Sequence, residues 1–232
     1  MSLVIAFNLD RYAILATDRR GVIKYSDRKK HITLNINDHY QKIRKVPFGF
    51  FAAAGDYFIT TCFYAECMRK MPKKRNLEEL LQDTYHRYCN MKGILHFSGI
   101  TTILLIANHR TAGKNFEKDA ILEINISYEN IEIQEIETMN LVALMANMNP
   151  DIHFWDSVSE LLRPSNHFLG IDQFLSYHLN LIHYIWQEQL KFDHLISHHI
   201  DFYFHDRMTS KGIFIPYEKF TNISEDLVKK LF

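Results

Sequence analysis

The chain has 232 residues, of which 27 are basic and 27 acidic, giving a formal net charge of zero, and 47% are hydrophobic. A neutral chain has no overall field to draw in a polyanion, which argues against dedicated nucleic-acid binding, while the length is ample for a buried core. Three cysteines without CxxC spacing point to reduced thiols in a cytoplasmic protein rather than to a disulfide framework.

The first apolar run, residues 3–7, is too short for a signal peptide and has no basic stretch before it. With the second run, residues 12–17, it reads as a hairpin turning at Asn8-Leu9-Asp10-Arg11. Residues 31–36 alternate polar and apolar, as a half-buried strand does. Residues 43–46 and 49–54 continue as strand. The second of these is apolar throughout, so both its faces should be covered, and Gly55 ends it.

Two helices follow. Residues 56–71 are stopped by Pro72, and residues 76–91 open on Asn76 with Glu79 three positions later, a variant of the capping box. Strands are expected at 101–107, 120–127, 131–137 and 141–146. A further helical pair covers 152–163 and 171–192. The longer helix carries Phe174, Leu175, His178, Leu181, Ile182, Ile185, Trp186 and Leu190 in one wide stripe, fit for core or for a subunit interface. Strands at 200–205 and 212–216 and a short amphipathic helix at 224–232 close the chain. None of the apolar segments reaches the roughly 20 residues of a membrane span.

The order is strands, two helices, strands, two helices, strands. Strand runs that alternate with helix pairs imply antiparallel sheets with helices on their outer faces. The expectation is an α+β, four-layer αββα sandwich of two mostly antiparallel sheets between helix pairs, with residues 1–232 forming a single domain.

A small hydroxyl residue at the chain start, a hairpin, and Asp18-Arg19-Arg20 at its end resemble the N-terminal nucleophile (Ntn) hydrolases, in the proteasome β-subunit branch. The resemblance implies that Ser2, freed by removal of Met1, acts as nucleophile on peptide or amide bonds. Its own amine would accept the hydroxyl proton, and a nearby cation would keep that amine neutral. On the family pattern Asp18 stands at the matching distance from Ser2. Lys30 matches the family lysine, with Lys29 as fallback, and the Gly55 amide matches the oxyanion donor. Arg20, Asp193 and Ser197 are supporting candidates.

Two stretches depart from the family. The turn expected to carry a Ser-Gly-Ser-like sequence reads Ala146-Asn147-Met148-Asn149-Pro150. The glycines expected before the late strand are replaced in Asp193-His194-Leu195-Ile196-Ser197-His198-His199. A catalytically inactive relative, acting as a ring subunit or as an inhibitory or immunity-type partner, is therefore the alternative. The histidines His194, His198, His199 and His205 read as an ordinary cluster, since His198 and His199 would point to opposite faces of a strand. Neither metal nor cofactor is expected. The family works as rings, and the helices are rich in Phe, Tyr and Met, so a homo-oligomer is expected, with a peptide or protein as substrate or partner.

Overall fold

The computed structural model describes residues 3–26, 32–69, 76–92, 99–107, 119–127, 130–144 and 149–216. In chain order the strands are β1 (Val4–Asn8), β2 (Tyr12–Asp18), β3 (Gly21–Ser26), β4 (Ile32–Asn37), β5 (Arg44–Val46) and β6 (Gly49–Ala54). Helices α1 (Tyr57–Met68) and α2 (Leu77–Lys92) follow. Then come β7 (Thr101–Ala107), β8 (Ala120–Ile126), β9 (Ile131–Glu135) and β10 (Asn140–Leu144). Helices α3 (Ile152–Glu160) and α4 (Ile171–Leu190) precede β11 (Ile200–Asp206) and β12 (Lys211–Ile215).

Two five-stranded antiparallel sheets form, in the orders β10-β1-β2-β11-β12 and β5-β6-β7-β8-β9. Side chains alternate along each strand, so every central strand feeds two cores. On β1 and β2, Ile5, Phe7, Ile14 and Ala16 face α3 and α4, joining Phe174, Leu175, Ile182 and Trp186. Val4, Ala6, Ala13 and Leu15 face the other sheet and meet Ala52, Leu104, Ile106 and Ile121. The second sheet sends Phe51, Ile103, Leu105 and Leu122 outward onto Ile59, Phe63, Leu80 and Leu81 of α1 and α2. Three apolar layers between four structural layers account for the uninterrupted apolar runs. The αββα sandwich is the expected one.

Aromatic contacts lock the layers. Phe50 and Tyr203 stack across the inter-sheet space with centroids 3.7 Å apart. Tyr203 lies where a Cβ on Gly212 would sit 2.1 Å from its hydroxyl oxygen, so the neighbouring edge strand must carry glycine there. Asn76 caps α2 by accepting from the Glu79 amide at 2.8 Å, as the capping pattern implied. The α4 stripe is core rather than interface.

Some readings change. Residues 21–26 form a strand the sequence reading passed over. It pairs with β4 as a separate two-stranded ribbon, so the 31–36 alternation belongs to that ribbon and not to a main sheet. The helix expected over 56–71 ends at Met68, before Pro72, and the one expected over 171–192 ends at Leu190. Residues 145–148 and 217–232, with the expected terminal helix, lie outside the described residues. Among the described residues, no helix is long and apolar enough to cross a membrane.

Candidate active site

Asp18 ends β2 with its side chain fully buried, and the surrounding backbone is built to hold it. Its Oδ1 accepts the Leu3 amide at 2.8 Å, the peptide nitrogen that joins the described chain to Ser2. Its Oδ2 accepts the Arg20 amide at 2.9 Å and the Ser197 amide at 3.2 Å. A buried carboxylate with this many donors is fixed in position, and the remaining requirement is a counter-charge.

The counter-charge is Lys42. Its ammonium donates to Asp18 Oδ1, and its side chain is only 5% exposed. Burial pushes the Lys42 amine below the usual lysine value, against the pull of Asp18 towards the charged form. Lys42 sits immediately before Ile43, which is buried between the sheets, and β5 then leads to β6 and Gly55. The sequence reading missed it because Tyr40-Gln41-Lys42 looks like a solvated turn. The available signal was a lysine entering the strand one hairpin turn before the strand that ends at Gly55. Lys29, Lys30 and Ser2 lie outside the described residues.

The other expected residues gather at this end of the sandwich. Gly55 has φ +123°, and a Cβ there would stand 2.7 Å from Thr101 Cα, so only glycine fits. Asp56 follows as N-cap of α1, its amide held by Thr101 Oγ1 at 2.9 Å. Tyr40 joins the two halves: its amide donates to the Arg19 carbonyl at 3.0 Å, and its ring meets Tyr57 at 5.9 Å. Arg20 spans from Asp38 to the His194 carbonyl, with Nη–O distances of 2.9 Å to each. This contact holds the Asp38 carboxyl below the usual carboxylate range.

Ser197 donates to the His199 carbonyl at 2.8 Å and accepts the amides of His199 at 3.0 Å and Arg19 at 3.2 Å. It braces the Asp18 loop. Asp193 is also buried, but its carboxylate closes a local turn on the Leu195 amide at 2.9 Å. Arg19 pairs with the buried Asp201 at 2.6 Å. Thr17, opposite Asp201 on β2, is buried with its hydroxyl lacking a partner among the described residues.

The fold matches solved Anbu structures along its whole length. Against a Gly-1 mutant of Anbu from Hyphomicrobium sp. strain MC1 the TM-score is 0.59 at 14% identity, covering 100% of this chain and 95% of that one. Another structure of Anbu from the same strain gives 0.55 at 14% identity, covering 99% and 94%. A helical assembly of the Anbu complex from Pseudomonas aeruginosa gives 0.54 at 11% identity, covering 99% and 97%. The chain therefore has the proteasome β-subunit-like fold of Anbu. No family model matches the sequence. No curated protein matches it.

Proposed function

We propose that the protein is an N-terminal nucleophile amidohydrolase of the Anbu-like kind, with Ser2 as nucleophile once Met1 is removed. The observation that carries this reading is the buried Asp18–Lys42 pair, because Asp18 also holds the Leu3 amide next to Ser2. Burial holds the Lys42 amine below its ordinary value, so it gives up its proton more readily than a solvated lysine does. In the proposed chemistry the Ser2 α-amine takes the hydroxyl proton, and Lys42 keeps that amine neutral. The oxygen attacks a substrate carbonyl, and the oxyanion is held by the Gly55 amide. The protonated Ser2 α-amine gives its proton to the substrate nitrogen, which leaves as a neutral amine, and the resulting ester on Ser2 is hydrolysed by water to the carboxylic acid and the free Ser2 hydroxyl.

Intact mass first shows whether Met1 is gone, and turnover of short fluorogenic peptides then tests the site. Ser2→Ala should abolish turnover, and so should a retained Met1. Turnover unchanged in Ser2→Ala would overturn the N-terminal mechanism. A catalytically silent ring subunit is the second reading. It is favoured by Ser197, the offered supporting hydroxyl, being fully committed to Arg19 and His199. Absence of turnover in processed wild type would select it.

Under either reading the chain acts as a homo-oligomer. Leu169 is 97% exposed, Ile152 68% and Ile100 64%, large apolar side chains of the kind that subunit contacts cover. The Pseudomonas aeruginosa complex, itself a helical assembly, supports the same reading. Light scattering returning a monomer mass at micromolar concentration would overturn it.

A further inference from the structure

The far end of the sandwich holds a second polar cluster. β11 runs from Ile200, opposite Asp18, to Asp206, opposite Tyr12. Tyr203 of the inter-sheet core is followed two residues on by His205 and, just past the end of β11, by Arg207, and all three are at least nine-tenths buried. His205 is bound on both ring nitrogens, Nε2 to Asp119 at 2.8 Å and Nδ1 to the Tyr203 hydroxyl at 3.2 Å. In the row formed by Asn8, Ala13 and His205 across three strands, the middle residue is the smallest. Asn8 donates to the Ile136 carbonyl.

Arg207 has no such partners. Its residue is 8% exposed, yet Nε and Nη2 are both buried with no acceptor among the described residues. Asn8 Oδ1 on the same layer is likewise unpartnered. Nε and Nη2 form the edge of a guanidinium that grips two oxygens at once. Asp206, the adjacent carboxylate, is taken by Arg11 at 2.7 Å, and Asp119 is taken by His205. Glu135, Asp119 and Asp10 act on Arg207 through space, but none is within ion-pair distance. A buried donor pair left unmade costs more than a neutral one, so this edge favours a ligand that supplies both acceptors.

We propose that Arg207 is the anchor of a binding site for a small oxyanion, a carboxylate or a phosphate. The ligand sits bidentate on Nε and Nη2 at the end of the inter-sheet layer remote from Asp18. Arg207 is followed by Met208, which is 78% exposed, so the anchor lies one residue from the surface. The inference is independent of the hydrolase reading, because none of its residues touches Asp18, Lys42 or Ser197.

The test titrates the full-length protein with sodium phosphate and, separately, sodium acetate, with sodium chloride at equal ionic strength as reference. Thermal unfolding and hydrogen exchange are both read. A saturable rise in melting temperature with phosphate alone identifies a phosphate site, and a rise with acetate as well identifies a general oxyanion site. In both cases exchange protection in wild type should concentrate in residues 201–212 and the β1–β2 turn. Arg207→Lys, which keeps the charge but loses the fork, should weaken binding about tenfold or more. A response no larger than that to chloride would overturn the proposal. Protection confined to other segments, or an undiminished response in a folded Arg207→Lys protein, would do the same.

Discussion

Lys42 and Leu3 meet on one oxygen: the Lys42 ammonium and the Leu3 amide both donate to Oδ1 of Asp18. The start of the first strand and the lysine entering β5 are thereby held to a single buried atom. Lys42→Met would leave Asp18 buried and charged without its cation. Breaking such a pair costs about 3–5 kcal/mol, to be read by urea unfolding, and turnover should be lost with it. Asp18→Asn placed on Lys42→Met should recover part of the stability and none of the activity. Lys30→Ala made alongside should leave both nearer to wild type, which separates the two lysines as partners of Asp18.

The burial of Lys42 makes stability rise at alkaline pH. Because the folded Lys42 amine titrates below the ordinary lysine value of 10.5, the unfolded chain binds the extra proton between those two points. Stability tied to this group therefore increases with pH through that window. Unfolding free energies followed from neutral pH up to 10.5 should show this upward component in wild type and lose it in Lys42→Met.

His178 imposes the acid counterpart. It is fully buried on α4, its Nδ1 on the Phe174 carbonyl at 2.9 Å and its ring 4.4 Å from that of Phe174. Burial lowers it below the ordinary histidine value of 6.5. As pH falls below 6.5 the unfolded chain takes up the proton first, so stability declines until the folded value is passed. Buried His205 is shifted the same way and adds to the decline. Urea midpoints from pH 7.5 to 5 should fall in wild type. The slope should be shallower in His178→Gln, with His205 and His183, both also lowered by burial, contributing to the remainder.

At Gly55 the backbone and the neighbours agree on one residue. Gly55→Ala would force a side chain into φ +123° and against Thr101 Cα at 2.7 Å. A backbone held in such a region costs ~1–3 kcal/mol, and relief would move the α1 N-terminus. The expected outcome is a lower unfolding midpoint together with a larger proportional loss of turnover. Equal activity at reduced stability would separate this glycine from the chemistry.

The sandwich was legible because strands buried on both faces write themselves as continuous apolar runs, as in Leu3 to Phe7 and Ile103 to Ala107. Asp18 was legible from its place at a strand end before two arginines. The ribbon strand at 21–26 was not, since Val22-Ile23-Lys24-Tyr25 follows a charged turn and pairs with neither main sheet. Lys42 hid for a related reason: its burial comes from Asp18, 24 positions earlier in the chain, and no local periodicity reports a partner at that distance. Of the Arg207 cluster the sequence singled out only His205, among the late histidines, because the members come from β1, β8, β11 and their flanks and only the two sheets bring them together.

The closeness of Tyr203 to Gly212 sets a rule for tracing kinship at low identity. A phenol fills the place of a missing side chain on the next strand, so the two positions cannot drift separately. Wherever a relative keeps tyrosine at the first position, glycine must stand nine residues on. Where the second position gains a side chain, the first must shrink, and the ring facing Phe50 goes with it. Such a coupled pair can fix the alignment of the last two strands when 14% of residues agree and no other landmark is left.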